Sequence, residues 1–150
     1  MVRGRSHEGV LMNRNSDTNA QRLSWTEPSM WAVMALSIVF LCLGGLFILS
    51  LAAGAAIFGL PAPSGVAGGY LRAIGFRDVA LALYLGGLAW FSTRRAVCIV
   101  LAASVFIPLC DVILVWNAGS AASWQVALHV VSGASLVLIA AWVFRLQINV

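Results

Sequence analysis

Apolar residues run along this chain in long, nearly unbroken stretches, and the polar residues gather between them. Four such stretches stand out, at about 30–59, 70–91, 96–116 and 122–144. Each reaches the roughly 20 residues that a helix rising about 1.5 Å per residue needs to cross a hydrocarbon core. The first is longer than that, so it is expected to tilt or to extend into the interface. Thr26-Glu27-Pro28 supplies its start signal, with proline just inside the first turn. The connections are the Gly/Pro/Ser-rich run 59–69, Ser92-Thr93-Arg94-Arg95, and Asn117-Ala118-Gly119-Ser120-Ala121. Connections this short favour up-down neighbours. The pattern therefore predicts an all-α membrane protein: an antiparallel four-transmembrane-helix bundle over residues 30–145.

Residues 1–29 break the pattern. They are polar, carry Arg3, Arg5, Arg14 and Arg22 against Glu8, Asp17 and Glu27, and show no helical or strand period. A disordered cytoplasmic tail is expected there. Met12 is an alternative start that would remove the first eleven residues. The apolar run behind the tail is too long for a signal-peptide core of roughly 7–15 residues, so it is expected to remain as an anchor.

Composition agrees with membrane residence. Of 150 residues, 61% are hydrophobic and 9% charged, and the mean hydropathy is +0.95. The net charge of +4 comes from nine arginines against five acids, with no lysine. These arginines are scattered, so they point to topology and a lipid bilayer rather than to nucleic acid. They flank the tail, the second connection (Arg94, Arg95) and the C-terminus (Arg145), whereas the first and third connections are uncharged. The positive-inside rule then puts both termini in the cytoplasm. Trp25, Trp31, Trp90 and Trp142 fall at the inner boundary of this threading, and Trp116 and Trp124 at the outer one, as an aromatic belt requires.

Arg77, Asp78, Asp111 and His129 are the candidate chemistry, because they sit within apolar stretches. A charge at the centre of a membrane helix costs roughly 2.5–3.5 kcal/mol on insertion scales, so such residues usually meet partners. In the threading above, Arg77, Asp111 and His129 each lie on the order of 10 Å below the outer boundary. Gln125, His129, Ser132 and Gly133 share one face of the last span. Ser104, Pro108 and Asp111 do so in the third, and Arg77 and Tyr84 in the second. Arg77 and Asp78 are sequence neighbours about 100° apart on a helix, so each is expected to find its partner on another span. Arg77 with Asp111 is the expected pair, and Asp78 with a backbone or hydroxyl group.

One reading of this cluster is structural, an ion-paired network that sets bundle register. The other is a site. His129 can shuttle protons near neutral pH, Asp111 or Asp78 can serve as the base, and Arg77 can hold a substrate oxygen. The candidate catalytic residues are therefore His129, Asp111 and Asp78, and the ligand-binding candidates Arg77, Tyr84, Ser104, Gln125 and Ser132. A small lipophilic or amphiphilic molecule is the expected ligand, with isomerisation, cyclisation or enolisation as suitable chemistry. The run 59–69 can cap such a pocket as a lid. A carboxylate-rich metal site is the weaker option, since only one histidine lies among the spans and Arg77 would repel a cation. No cofactor motif is present, and Cys42, Cys98 and Cys110 lack metal or redox spacing. Proton-coupled transport is the alternative function. Four spans are few for a monomeric carrier, so it demands a homo-oligomer. Small-residue spacings at Ser50–Gly54 and Ala55–Gly59 permit close helix contact within a bundle or between copies.

Gly75-Phe76-Arg77-Asp78, Ile107-Pro108-Leu109-Cys110-Asp111 and the late His129, in that order, resemble the small bacterial and fungal membrane family filed as domain of unknown function 4267. The resemblance covers about Met30 to Phe144 and leaves the tail outside. It implies a four-helix membrane protein and carries no activity with it. The expected location is the bacterial plasma (inner) membrane.

Overall fold

The computed structural model describes residues 22–148. The expectations for most of the N-terminal tail, including a start at Met12, lie outside the described residues. The described chain is helical: α1 (Pro28–Leu49), α2 (Leu51–Phe58), a 3-10 turn (Gly65–Ala67), α3 (Gly68–Phe91), α4 (Arg94–Ser104), α5 (Phe106–Ala118) and α6 (Ser123–Ile148). Four segments are long and apolar enough to cross a membrane: Pro28–Leu49, Gly65–Phe91, Arg94–Ala118 and Ser123–Leu146. This is the build of an integral membrane protein.

The first apolar stretch holds two helices, where one long tilted helix was expected. Ser50 leaves the helical region (φ −135°, ψ 93°), and its hydroxyl accepts the Ala53 amide as the cap of α2. The chain reverses there. A Cβ built on Gly54 would lie 3.2 Å from Phe47 Cα, whereas seven residues of straight helix span about 10 Å. The Phe47 and Phe58 rings meet edge-on at 6.2 Å for the same reason. α2 closes on Gly59, whose φ of +96° suits only a residue without a Cβ. Gly54 and Gly59 thus serve contacts within the chain. Gly54 faces Phe47, and Gly59 faces Val115, Ala121 and Gln125.

The third span is interrupted between α4 and α5 because Pro108 has no amide to offer the Ser104 carbonyl. α1 lies along α3 at backbone distance: a Cβ on Gly44 would sit 2.7 Å from the Gly75 carbonyl oxygen. Ser37 donates to the Ala82 carbonyl at 2.6 Å along the same seam. Two apolar cores result. One joins Met30, Val33, Leu85, Val97, Leu101 and Val143; the other joins Phe47, Ala55, Phe58, Leu71 and Val115.

Residues 22–27, assigned to the disordered tail from sequence, are packed in place. Arg22 bridges Thr93, Leu23 is buried, and Trp25 stacks edge-on against Trp90 at 4.4 Å and Trp31 at 5.9 Å. Glu27 pairs with the buried Arg94 guanidinium, which also donates to the Leu146 carbonyl at 3.4 Å. The correction has a simple cause. Leu23 and Trp25 find apolar neighbours, and a buried Arg94 needs an anion. The start of α1, the start of α4 and the end of α6 therefore share one end of the molecule.

Candidate ligand-binding cleft

Arg77 and Asp78 come from α3, Asp111 from α5 and His129 from α6, and the fold brings all four side chains together. Arg77 Nη2 lies 3.7 Å from Asp111 Oδ2, and His129 Nδ1 lies 3.9 Å from the same oxygen. These are ion-pair distances, longer than hydrogen bonds. The closest pair is one the sequence argument rejected. Arg77 Nε and Nη2 both donate to Asp78 Oδ1 at 3.1 Å. The two Cβ atoms do point apart, but the long arginine chain curls back and lays its planar fork against the neighbouring carboxylate. Asp78, expected to meet a backbone or hydroxyl group, takes Arg77 instead. Both carboxylates are buried, at 4% and 7% exposure, and Arg77 is the cation they share.

His129 has a second tie. Its Nε2 is 2.9 Å from the Phe58 carbonyl oxygen, at the C-terminal end of α2. A carbonyl only accepts, so Nε2 carries the hydrogen, and Nδ1 is the nitrogen left on the Asp111 side. The Phe58 ring stands edge-on to the imidazole at 5.0 Å. One turn earlier on α6, Gln125 donates to the Ala56 carbonyl, while its own Oε1 accepts the Ala122 amide at 2.7 Å. The last carbonyls of a helix lack partners within it. Here Gly59 and Leu60 amides take Ala55, Gln125 takes Ala56, and His129 takes Phe58. Gln125 and His129 thus hold α2 against α6.

The cluster forms one wall of a cleft of about 320 Å³, at the small end of ligand-pocket volumes. Phe40 and Phe47 of α1, Phe58 of α2, Pro108 of α5, and Leu128 and Val131 of α6 supply the apolar walls. Ser132 and Ser135 add hydroxyls below His129, and Ser135 donates to the Val131 carbonyl at 2.8 Å. Val39, Leu128 and Val131 are exposed and form its rim between α1 and α6.

Of the residues singled out from sequence, Arg77, Asp78, Asp111, His129 and Ser132 line the cleft. Three others lie elsewhere. Tyr84 is 63% exposed on the outside of α3. Ser104 is buried and donates to the Val100 carbonyl of its own helix at 2.7 Å. Gln125 is spent on α2. Phe58 and Ile57 also line the cleft without being singled out from sequence, because they reach it through the reversal of the chain at Ser50. A serine capable of capping a new helix inside an apolar run was the available signal. Among the described residues, no group of three or more His, Cys, Asp or Glu is placed to hold a metal ion.

The model of the family described as Domain of unknown function (DUF4267) matches residues 37–143. That range contains every member of the cluster. No curated protein and no solved structure matches the chain.

Proposed function

This chain belongs to the family described as Domain of unknown function (DUF4267), and from its geometry we propose that the cleft binds a small lipophilic or amphiphilic molecule and performs acid/base chemistry on it. The observation that carries this reading is the meeting of Arg77, Asp111 and the free Nδ1 face of His129 on the wall of an otherwise apolar, laterally open cleft. A purely structural network would need no such space beside it. In the proposed reaction class, Asp111 and His129 move a proton to and from carbon or oxygen of the ligand, and Arg77 steadies the oxygen that gains negative charge. Isomerisation or enolisation of a carbonyl compound fits those roles.

The same reading sets the protein in the bacterial plasma membrane as an antiparallel four-span bundle with both termini cytoplasmic. The cluster then lies in the outer half of the bilayer. A carrier is disfavoured. Towards the other end of the bundle, Val33, Leu85, Val97, Leu101 and Val143 are fully buried, and Arg94 ties that end together. A transport route would have to open both.

Native mass spectrometry after mild detergent extraction tests the binding claim. The wild type is expected to retain an amphiphile, and Val131→Trp, which fills the mouth without touching the cluster, is expected to lose it. A wild type with no adduct and no saturable binding of added amphiphiles refutes the reading.

A further inference from the structure

The shape and charge of the cleft narrow its ligand beyond a generic amphiphile. The cluster sits near one end of the cleft, and its level on α1 is marked by Gly44, whose added Cβ would meet Gly75 and Val79 on either side of Arg77 and Asp78. From there the lining continues along α1 through Phe40 and Val39 to Leu36. Leu36 lies eight residues before Gly44, on the order of 12 Å along the axis. On α6 the lining runs from His129 through Ser132 to Ser135, on the order of 9 Å. Both walls lead away from the cluster towards the end where Trp25, Trp31 and Trp90 pack. This is a groove with a polar head end and a channel on the order of 10 Å long, apolar along α1 and carrying the Ser132 and Ser135 hydroxyls along α6, the latter spent on the Val131 carbonyl. It has room for an extended alkyl chain of about eight carbons.

Charge decides the head. Arg77 faces two carboxylates, Asp78 and Asp111, with Nε and Nη2 already engaged. One proton, carried by either His129 or Asp111, brings the sum of the four side chains to zero. A low-dielectric interior favours that balance. An anionic head such as a phosphate or carboxylate would meet two carboxylates, and a cationic head would leave an unbalanced positive charge. A hydroxyl or carbonyl head disturbs nothing. It can accept from Arg77 Nη1, which has no hydrogen-bond partner among the described residues, and a hydroxyl can also donate to Asp111.

We propose that the cleft takes a neutral single-chain amphiphile, its hydroxyl or carbonyl at Arg77 and Asp111 and its alkyl tail along the seam between α1 and α6, entering sideways from the bilayer. This deepens the ligand-binding reading above and rests on it. The exposed rim of Val39, Leu128 and Val131 is the side entrance.

The test uses the full chain in lipid nanodiscs and photoreactive probes with a chain of about eight carbons. The probes share the chain and differ in head: alcohol, carboxylate or trimethylammonium. Each is made with its diazirine near the head or near the tail end. The alcohol probe is expected to label saturably. Its head-end diazirine should mark Leu43 or Phe58, and its tail-end diazirine Leu36, Val39 or Ser135. Unlabelled alcohol should compete about tenfold better than the charged analogues. Val131→Trp should abolish both labels while helix content stays unchanged. Equal competition by all three heads overturns the charge assignment. Saturable head-end labelling with tail-end label spread over lipid-facing residues such as Phe76 and Leu138 overturns the channel, and leaves the ligand-binding reading standing. Absence of saturable labelling by any probe overturns both.

Discussion

Replace Arg77 with leucine and two buried carboxylates lose the cation they share. Their side chains are 6% and 9% exposed. Removing one partner of a fully buried pair costs about 3–5 kcal/mol, because the other charge is stranded. The Arg77 side chain is itself 37% exposed, so the loss here is expected nearer about 2–3 kcal/mol. The distances say how that cost divides. At an effective dielectric of about 20, unit charges attract by roughly 5 kcal/mol at the Asp78 separation and roughly 4.5 at the Asp111 separation. Asp78 also receives two N–H groups, and hydrogen bonds to charged groups add about 1.5–3 kcal/mol. Asp111 has none from Arg77 and keeps His129 nearby. Double-mutant cycles with Asp78→Leu and Asp111→Leu should therefore give the larger coupling to Arg77–Asp78, by about 1–2 kcal/mol. Arg77→Leu with Asp78→Leu should recover most of the single-mutant loss. Reversible unfolding in bicelles supplies the free energies. A larger Arg77–Asp111 coupling, or an Arg77→Leu variant within about 1 kcal/mol of wild type, would refute the wiring described above.

His129→Gln should keep the donor to Phe58 and cost less than about 1 kcal/mol in thermal unfolding, yet lose any proton-transfer activity, because an amide does not titrate near neutral pH; full activity in this variant removes the shuttle. His129→Leu should cost about 1–3 kcal/mol by stranding the Phe58 carbonyl, with hydrogen exchange at residues 51–58 rising first. Gly54→Val should push α2 off Phe47, since its Cβ would lie 2.5 Å from the Phe47 ring; a loss of about 1–3 kcal/mol is expected, and an unchanged melting temperature would contradict the reversal at Ser50. For topology, cysteines at Ser64 and Ser120 in a cysteine-free background should react with an impermeant maleimide from outside intact cells, and one at Arg95 should not; outside labelling at Arg95 sinks the N-in arrangement.

How much of this was legible beforehand follows from what each signal measures. Hydropathy over long windows located the spans, because crossing a hydrocarbon core demands length and apolarity and little else. The rise per residue placed Arg77, Asp111 and His129 at one depth, and the three do meet. Depth is a single coordinate, however, and rotation about each helix is another. Near-uniform apolarity erases the amphipathic stripe that usually fixes rotation, which is why Tyr84 and Ser104 were assigned to a site they do not line. The Arg77–Asp78 pair was rejected by reasoning from Cβ directions, which hold for short side chains and fail for arginine. The reversal at Ser50 was hidden for the same reason the spans were visible. An apolar run looks identical whether it crosses the membrane or turns back into it. What the folded-back helix gains comes from far along the chain: Ala55 and Phe58 pack with Leu71 and Val115, and Gln125 and His129 tie down its last carbonyls.

That reversal also gives His129 a second partner besides Asp111. Without α2, the imidazole would meet Asp111 alone, and either ring nitrogen could serve. The Phe58 carbonyl removes that freedom. It fixes the hydrogen on Nε2 and turns Nδ1 towards the Asp111 carboxylate. A network built only to hold helices together has no need to leave one nitrogen of a half-buried histidine without a hydrogen bond on the wall of a cleft. The bond also links that histidine to the wall that Ile57 and Phe58 give the cleft, so movement of α2 would change both the shape of the cleft and the tautomer of His129. Exchange at the His129 ring, followed by nitrogen-15 NMR of the labelled protein, should therefore report a single Nε2–H form in the wild type and a mixture in Gly54→Val. A wild-type spectrum with both tautomers populated equally would show that α2 does not orient the ring, and would leave the cluster as packing alone.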